Sequence, residues 1–301
     1  MNPKILLTFF ISLFAFVVLA QDETDTTSIW TTGGSVALNF SNVGLSNWAG
    51  GGQNSLAIGT VINLNADRET EKSVWKNNLK FQFGMARVGS SDTNLFKKTD
   101  DLLILNSNYG YKLTERWSVS LLGDFRTQVA DGNIYARDPL TSKERVEQRI
   151  SRFLAPGYLQ TNLGFQYKNE TLVLGLSPLA SKFTFVMDDS LSAAGAFGVE
   201  PGKNLRAEVA GFSLNGKYKI ELMENVQFET VLMMFANYQT LSRIDINWDT
   251  LLSLKVNDYI SATFGTSLIY DHDVILEKSN GDTGRAIQFR HALNVGLSVS
   301  F

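Results

Sequence analysis

The sequence predicts an all-β protein, a single up-and-down antiparallel transmembrane β-barrel of about twelve strands. Three observations predict this fold class: an N-terminal segment typical of export, a strict alternation of apolar and polar residues in many later segments, and the lack of another long apolar run. The alternation carries most weight, because a period of two residues sends successive side chains to opposite faces of a sheet.

The N-terminus has the features of a secretory signal. Lys4 supplies a positive charge, residues 5–18 are almost entirely apolar, and small residues precede polar sequence at Ala20. The run is short for a spanning helix and is followed at once by polar residues. We therefore expect a signal peptide over residues 1–20, a short periplasmic leader over 21–33 and the barrel over 34–301.

Composition narrows the classes of protein further. Hydrophobic residues make up 44% and charged residues 19%, which is too apolar for a disordered chain. The absence of cysteine excludes disulfides, thiolate metal sites and lipid attachment at a cysteine, and a net charge of −3 gives no electrostatic case for nucleic acid. Beyond the signal, no apolar run approaches the roughly 20 residues that a spanning helix needs. A membrane form must therefore be a closed barrel, which satisfies all backbone polar groups.

Alternation is clearest in the final segment, where Leu293, Val295, Leu297 and Phe301 occur at every second or fourth position between small or polar residues. The interruption at Pro178 predicts a bulge, and the alternation is expected to change face near Gly211. Twelve segments follow the pattern: 34–41, 53–66, 73–87, 101–113, 116–128, 156–168, 171–187, 204–221, 224–238, 242–256, 259–273 and 286–301.

The connections between these segments alternate between tight turns and longer loops rich in Gly, Ser, Asp and Asn. Bacterial barrels have short periplasmic turns and long outer loops. An even number of strands then puts both ends of the barrel segment on the periplasmic side. Aromatic residues fall near predicted strand ends, as at a water–lipid boundary. A soluble β-sandwich or lipocalin-like barrel, with its apolar set inside, is the alternative.

Phe301 closes the last outward-facing strand with an aromatic residue. This ending resembles the signal by which outer-membrane barrels are recognised for assembly. We therefore expect two partners, the barrel-assembly machinery during biogenesis and outer-membrane lipid afterwards.

Several stretches resemble an uncharacterised family of Bacteroidota proteins, known as a domain of unknown function. The stretches are 39–55, 98–101, 153–158, 176–179 and 193–200, and the first contains an Asn-Trp-Ala-Gly-Gly-Gly motif. The resemblance covers nearly all of the chain after the signal. It implies an outer-membrane barrel and brings no catalytic residue.

Charged residues of both signs are predicted to face the lumen. Two functions are equally compatible with them: a narrow channel for a small polar or charged solute, with charged rows setting selectivity, or a structural or interaction barrel whose closed lumen is braced by salt bridges. The candidate residues are Lys80, Asp124, Arg126, Lys217, Glu229, Asp245, Asp249, Asp271 and Arg290.

An outer loop contains Trp48 followed by the glycines Gly50, Gly51 and Gly52. The loop lacks the Gly-Lys-Ser/Thr ending and the following helix of a phosphate-binding loop. We expect it to fold inward or pack over the mouth, with Trp48 as its anchor.

A lipid-modifying enzyme is a third candidate function, because His272 and His291 are predicted near the outer rim. No Gly-x-Ser-x-Gly motif accompanies them, so we predict that the protein is not an enzyme. No cofactor or metal site is expected. Asp100 and Asp101 are interpreted as solvated carboxylates of an outer loop.

Overall fold

The computed structural model describes residues 29–44, 53–257, 259–277 and 282–301, without the side chains of 276 and 277. Twelve antiparallel strands form a closed barrel. The barrel strands are β1 (Trp30–Val43), β2 (Ser55–Glu69), β3 (Ser73–Val88), β4 (Lys97–Lys112), β5 (Trp117–Thr127), β8 (Gly157–Lys168), β9 (Leu172–Phe185), β10 (Leu205–Met223), β11 (Val226–Asn237), β12 (Ile244–Lys255), β13 (Ile260–Tyr270) and β16 (Gln288–Ser300). Around the barrel they follow the order β1-β16-β13-β12-β11-β10-β9-β8-β5-β4-β3-β2.

The predicted fold class is confirmed, and each of the twelve alternating segments is one barrel strand. The bounds differ by at most four residues: β1 begins at Trp30 instead of 34, and β4 begins at Lys97 instead of 101. The first four residues of β1 pair with β2 from Arg68 to Asn65, so this part of the predicted leader belongs to the barrel wall.

Alternation assigns the two faces of the wall. Asn78, Asn106, Asp124 and Gln160 pair in register across β3, β4, β5 and β8, and they face the lumen. The adjacent row carries large apolar residues and faces outward: Leu64, Leu79, Leu105, Phe125 and Leu159. The wall is therefore polar inside and apolar outside.

Both expected irregularities are present in the neighbouring strands β9 and β10. The β8–β9 register shifts between Leu163 and Phe165, opposite Pro178, and the β9–β10 register shifts on both sides of Gly211. Each shift changes which positions face the lumen, so Lys182 and Ser177 both point inward although one number is even and the other odd.

The two ends of the barrel differ. Tight turns and both ends of the barrel segment lie at one end, here called the turn end, and longer connections lie at the other, the loop end. At the loop end, β6 (Gly132–Arg137) and β7 (Glu144–Ser151) form a hairpin, α1 (Asp189–Ala193) is one short helix, and β14 (Leu276–Glu277) pairs with β15 (Thr283–Gly284).

A small apolar cluster joins two of these connections at the loop end. Ala155, Val186, Leu191 and Val199 are buried together, and Phe197 packs against them. Within the described ranges, no helix is long and apolar enough to cross a membrane.

Candidate functional site in the barrel lumen

The loop-side half of the lumen holds a set of ion pairs, here called the lumen cluster. Each of its four cations contacts one or two carboxylates of the set. The cations are Arg126, Lys182, Arg206 and Arg290, and the carboxylates are Asp100, Asp124, Glu208, Asp245, Asp249, Asp271 and Asp273. The cluster therefore has more acidic than basic groups.

Lys182 is the most buried cation of the cluster. Its Nζ lies 2.6 Å from Oδ2 of Asp245 and 2.8 Å from Oδ2 of Asp271, and the three side chains are only 9–12% exposed. The ammonium also lies 5.6 Å from the ring centroid of Tyr158. Because Lys182 stands on β9 and its partners on β12 and just after β13, these contacts cross the lumen instead of running along one wall.

Arg126 makes a second crossing contact. Its Nε donates to Oδ1 of Asp124 at 2.8 Å, its Nη2 lies 2.8 Å from Sδ of Met233, and its Nη1 lies 3.9 Å from Oδ2 of Asp249. β5 and β11 are four places apart in the strand order. Asn106 donates to the other oxygen of Asp124. The guanidinium thus narrows the lumen between two parts of the wall that are four strands apart.

Asp100 belongs to this network and not to a solvated loop, which corrects the prediction from sequence. Because β4 begins at Lys97, Asp100 lies on the inward face, where Gln82 and Arg290 both donate to its Oδ2. Asp101 points the other way, and its carboxylate accepts from the backbone N–H groups of Val129 and Ala130 at 2.8 Å.

Three carboxylates of the cluster are close enough together to hold a metal ion by spacing alone. Ligand atoms of Glu208, Asp245 and Asp273 lie within 4.8 Å of one another. Between them, Lys182 and Arg206 contact all three carboxylates. Lys182 contacts Asp245, and Arg206 Nη2 lies 3.4 Å from Oε1 of Glu208 and 2.6 Å from Oδ2 of Asp273. Internal cations therefore already compensate this negative charge, and the geometry gives no separate reason for an ion.

Other lumen-facing charges have more contact with water. Asp249 and Arg290 keep 43% and 44% of their side-chain surface exposed although they face the interior. Lys217 lies 3.0 Å from Glu229, with 48% and 27% exposed. These side chains are therefore accessible to water, unlike the dry contacts of Lys182.

The structure places eight of the nine sequence-predicted lumen residues on the inward face of barrel strands, and the ninth, Asp271, lies just after β13 and contacts the inward-facing Lys182. The structure brings six of the nine into the lumen cluster and pairs Lys217 with Glu229, while Lys80 lies on the same register row as Arg126, through Ile104. The cluster members missed from sequence are Asp100, Lys182, Arg206, Glu208 and Asp273. Lys182 follows the bulge at Pro178, so only a count of alternation on both sides of that bulge would have placed it inside.

Two connections at the loop end meet at Asp188. Its carboxylate accepts from the Ser190 hydroxyl at 2.6 Å and the Leu191 N–H at 3.0 Å, and it pairs with Arg149 at 2.6 Å and Arg152 at 3.5 Å. The hydrogen bonds from Ser190 and Leu191, aided by Arg149, lower the pKa of Asp188 to about 2. This ionised group joins the β6–β7 hairpin to the segment that carries α1.

The remaining sequence candidates are distributed as follows. Trp48, Gly50, Gly51 and Gly52 lie outside the described residues. Phe301 exchanges two backbone hydrogen bonds with Gly34, at 2.8 and 3.0 Å, where β16 meets β1. His272 and His291 lie near the loop end beside Tyr270 and Phe289, and in the described part of the chain neither imidazole forms a hydrogen bond with a serine.

Comparison with known proteins gives one family match. A family model described as "Protein of unknown function (DUF3078)" matches residues 40–133. No curated protein is significantly similar in sequence.

Several solved structures are similar in fold. An outer membrane channel from Pseudomonas putida F1 is 12% identical over 93% of this chain and 99% of that chain, with a TM-score of 0.39. The NanC porin is 8% identical over 88% and 98%, with a TM-score of 0.38. The translocator domain of the autotransporter NalP from Neisseria meningitidis is 9% identical over 94% and 91%, with a TM-score of 0.37. At these identities and TM-scores the likeness carries no functional argument.

Proposed function

We propose that the protein resides in a bacterial outer membrane. The closed barrel supports this location, because its outer wall carries large apolar side chains that only lipid would cover: Leu121, Phe165, Leu293, Val295 and Leu297 are 49–70% exposed. Cleavage after Ala20, expected from the N-terminal sequence, and an origin in the Bacteroidota, implied by the family resemblance, belong to the same proposal.

Within that membrane, we propose that the barrel acts as a narrow channel for small polar or charged solutes and prefers cations. The single observation that carries the proposal is the excess of carboxylates over cations where Arg126 narrows the lumen and Asp249 stays accessible to water. The lumen cluster has seven carboxylates and four cations, and counting Lys80, which shares a register row with Arg126, still leaves an excess of two carboxylates.

The physical reason is that charges lining a narrow lumen set the potential along the permeation path. Asp249 stands where the lumen is both narrowed by Arg126 and open to water. Its carboxylate therefore contributes to the local field without being fully desolvated. Cations entering this region are attracted by the excess negative charge, and anions are repelled.

Reversal potential in planar bilayers tests the proposal. The wild-type protein should conduct, with a reversal potential of cation-selective sign under a KCl gradient. Asp249→Asn removes one negative charge with almost no change in shape, and it should move the reversal potential towards zero. Asp92→Asn is the matched control, because Asp92 is exposed in the connection before β4 and should leave selectivity unchanged. A silent wild-type barrel, or an anion-selective one, contradicts the proposal.

The closed, salt-bridged barrel is the second candidate, and the burial of Lys182 between two carboxylates favours it. A buried ion pair that spans the lumen acts as a brace if no water passes beside it. The same bilayer recording separates the two functions, because a brace conducts neither before nor after Asp249→Asn.

A further inference from the structure

The outer wall of the barrel has a trench among its exposed apolar side chains. The floor of the trench is one register row of small residues, running across five strands. These floor residues are Ala66, Asn77, Ser107, Gly123 and Thr161. The floor spans four strand spacings, about 19 Å at roughly 4.8 Å each. The part of the trench that lies over Ala66, Asn77, Ser107 and Gly123, beside the row from Leu64 to Leu159, is a cavity of about 450 Å³.

Larger side chains form both walls of the trench. On the side nearer the loop end, the wall is the apolar row from Leu64 to Leu159 described above. On the side nearer the turn end, the wall is the row Arg68, Trp75, Tyr109 and Leu121. Trp75, Tyr109 and Leu121 are 38–54% exposed, so they stand out from the floor. The trench is therefore a groove in the outer wall that is open to the surrounding lipid.

The polar groups of the floor satisfy one another. Trp75 Nε1 donates to Ser107 Oγ at 2.9 Å, Ser107 Oγ donates to Asn77 Oδ1 at 2.8 Å, and Asn77 Nδ2 donates to the Ala66 carbonyl at 3.0 Å. Because these donors and acceptors already have partners, an apolar chain would lie over them without leaving polar groups unpaired.

The trench is tilted relative to the barrel ends. Ala66 lies three residues from the turn end of β2, Asn77 four residues from that of β3, Ser107 five from that of β4 and Gly123 six from that of β5. The end of the trench at β2 is therefore near the turn-end boundary, and the end at β5 and β8 is deeper in the wall. This orientation suits a molecule with a headgroup at the boundary and a chain in the interior.

The end of the trench at β2 carries side chains of the kind that bind a phosphate headgroup. Arg68 pairs in register with both Trp30 and Trp75, whose ring centroids lie 5.3 Å apart. In the described part of the chain, no carboxylate forms an ion pair with Arg68. Tryptophans favour the headgroup level of a bilayer, and arginine binds phosphate through paired N–H groups.

We propose that this trench binds one phospholipid of the leaflet nearest the turn end, with an acyl chain along the floor and the phosphate at Arg68. The inference rests on the membrane location proposed above. It adds a defined lipid site at one place on an otherwise general lipid-facing wall. The trench should accept the acyl chain of either lipid, but Arg68 should favour a phospholipid over a neutral diglyceride, because only the phospholipid carries a phosphate.

The test uses the full chain folded in detergent and measures lipid binding by native mass spectrometry. Gly123→Leu fills the trench, and a Cβ at Gly123 meets nothing closer than the Ser107 carbonyl at 4.0 Å, so the barrel should tolerate it. Gly216→Leu is the matched control on the outer face of β10, where a Cβ meets Leu174 at an ordinary 3.5 Å. Dioleoylphosphatidylglycerol should bind Gly123→Leu about tenfold more weakly than wild type, or about 1.4 kcal/mol. Gly216→Leu should bind like wild type.

The headgroup contact is tested separately with Arg68→Gln. This variant should lose about tenfold in affinity for dioleoylphosphatidylglycerol and keep its affinity for dioleoylglycerol, which has no phosphate. Equal losses for both glycine variants, equal losses for both lipids, or wild-type binding by Gly123→Leu would overturn the site. A protein that folds in detergent but never enters vesicles would instead refute the membrane location.

Discussion

Removing the ammonium of Lys182 should destabilise the barrel strongly. Lys182→Met keeps the length and the apolar stem of the side chain but leaves Asp245 and Asp271 facing one another across the lumen. The pair contacts are 2.6 and 2.8 Å long and the groups are about one-tenth exposed, so water replaces little of the lost interaction. Breaking such a buried pair costs about 3–5 kcal/mol.

Lys217→Met is the matched control. Lys217 also contacts a carboxylate, at 3.0 Å, but 48% of its side chain is exposed. Exposed ion pairs contribute about 0–1 kcal/mol. The same substitution at two lumen positions should therefore differ by several kcal/mol in the free energy of unfolding.

Urea unfolding in detergent, followed by tryptophan fluorescence and by gel mobility, measures both variants. A triple variant adds Asp245→Asn and Asp271→Asn to Lys182→Met. It should regain much of the lost stability, because neither carboxylate is then left without its cation. Equal, small losses for Lys182→Met and Lys217→Met would refute the assignment of a dry, lumen-spanning contact. No recovery in the triple variant would refute the electrostatic reason for the loss.

Three other outcomes follow from the wall, the loop end and the closing strand. Val295→Arg places a charge on the lipid face and should cost about 2–4 kcal/mol in unfolding experiments in vesicles, whereas Asn294→Arg on the lumen face should cost less; the reverse order would mean that the faces are exchanged. Because the folded pKa of Asp188 lies near 2, below about 3.9 in an unfolded chain, its stabilisation is present above pH 4 and is lost as pH falls towards 2. Limited proteolysis should show the connection after β9 opening over that interval in wild type, and Asp188→Asn should remove the pH dependence. Deletion of Phe301 should lower the yield of the heat-modifiable folded form, and unchanged folding would argue against its role in assembly.

Alternation was sufficient to predict the barrel because each strand has one apolar side, which faces outward, and one polar side, which faces the lumen. The same property explains why the positions of Asp124, Arg126 and Arg290 on the inward face could be predicted. Pairing partners could not be predicted, because Arg126 and Met233 are neighbours only after the sheet has closed on itself. Closure of the barrel depends on the tilt of the strands and on the stagger of their register around all twelve strands, which cannot be inferred from the sequence of any one strand.

Two local features were also beyond the sequence pattern. The β6–β7 hairpin is short, and β7 carries charges on both of its faces, so the sequence pattern of this segment is that of a loop. Lys182 was missed because one extra residue near Pro178 reverses the parity of all later positions in β9. A rule that assumes a uniform period therefore misplaces the inward-facing side chains that follow a bulge.

The joint between β1 and β16 is short. These strands pair over five residues, against fourteen between β1 and β2 and ten between β13 and β16. Under mechanical load on Phe301, rupture should start at this joint, and β16 should then peel from β13 before the next strand is released. Pulling single molecules from a supported bilayer would thus give a stepwise record, with β16 leaving first and β1, held by β2, leaving last.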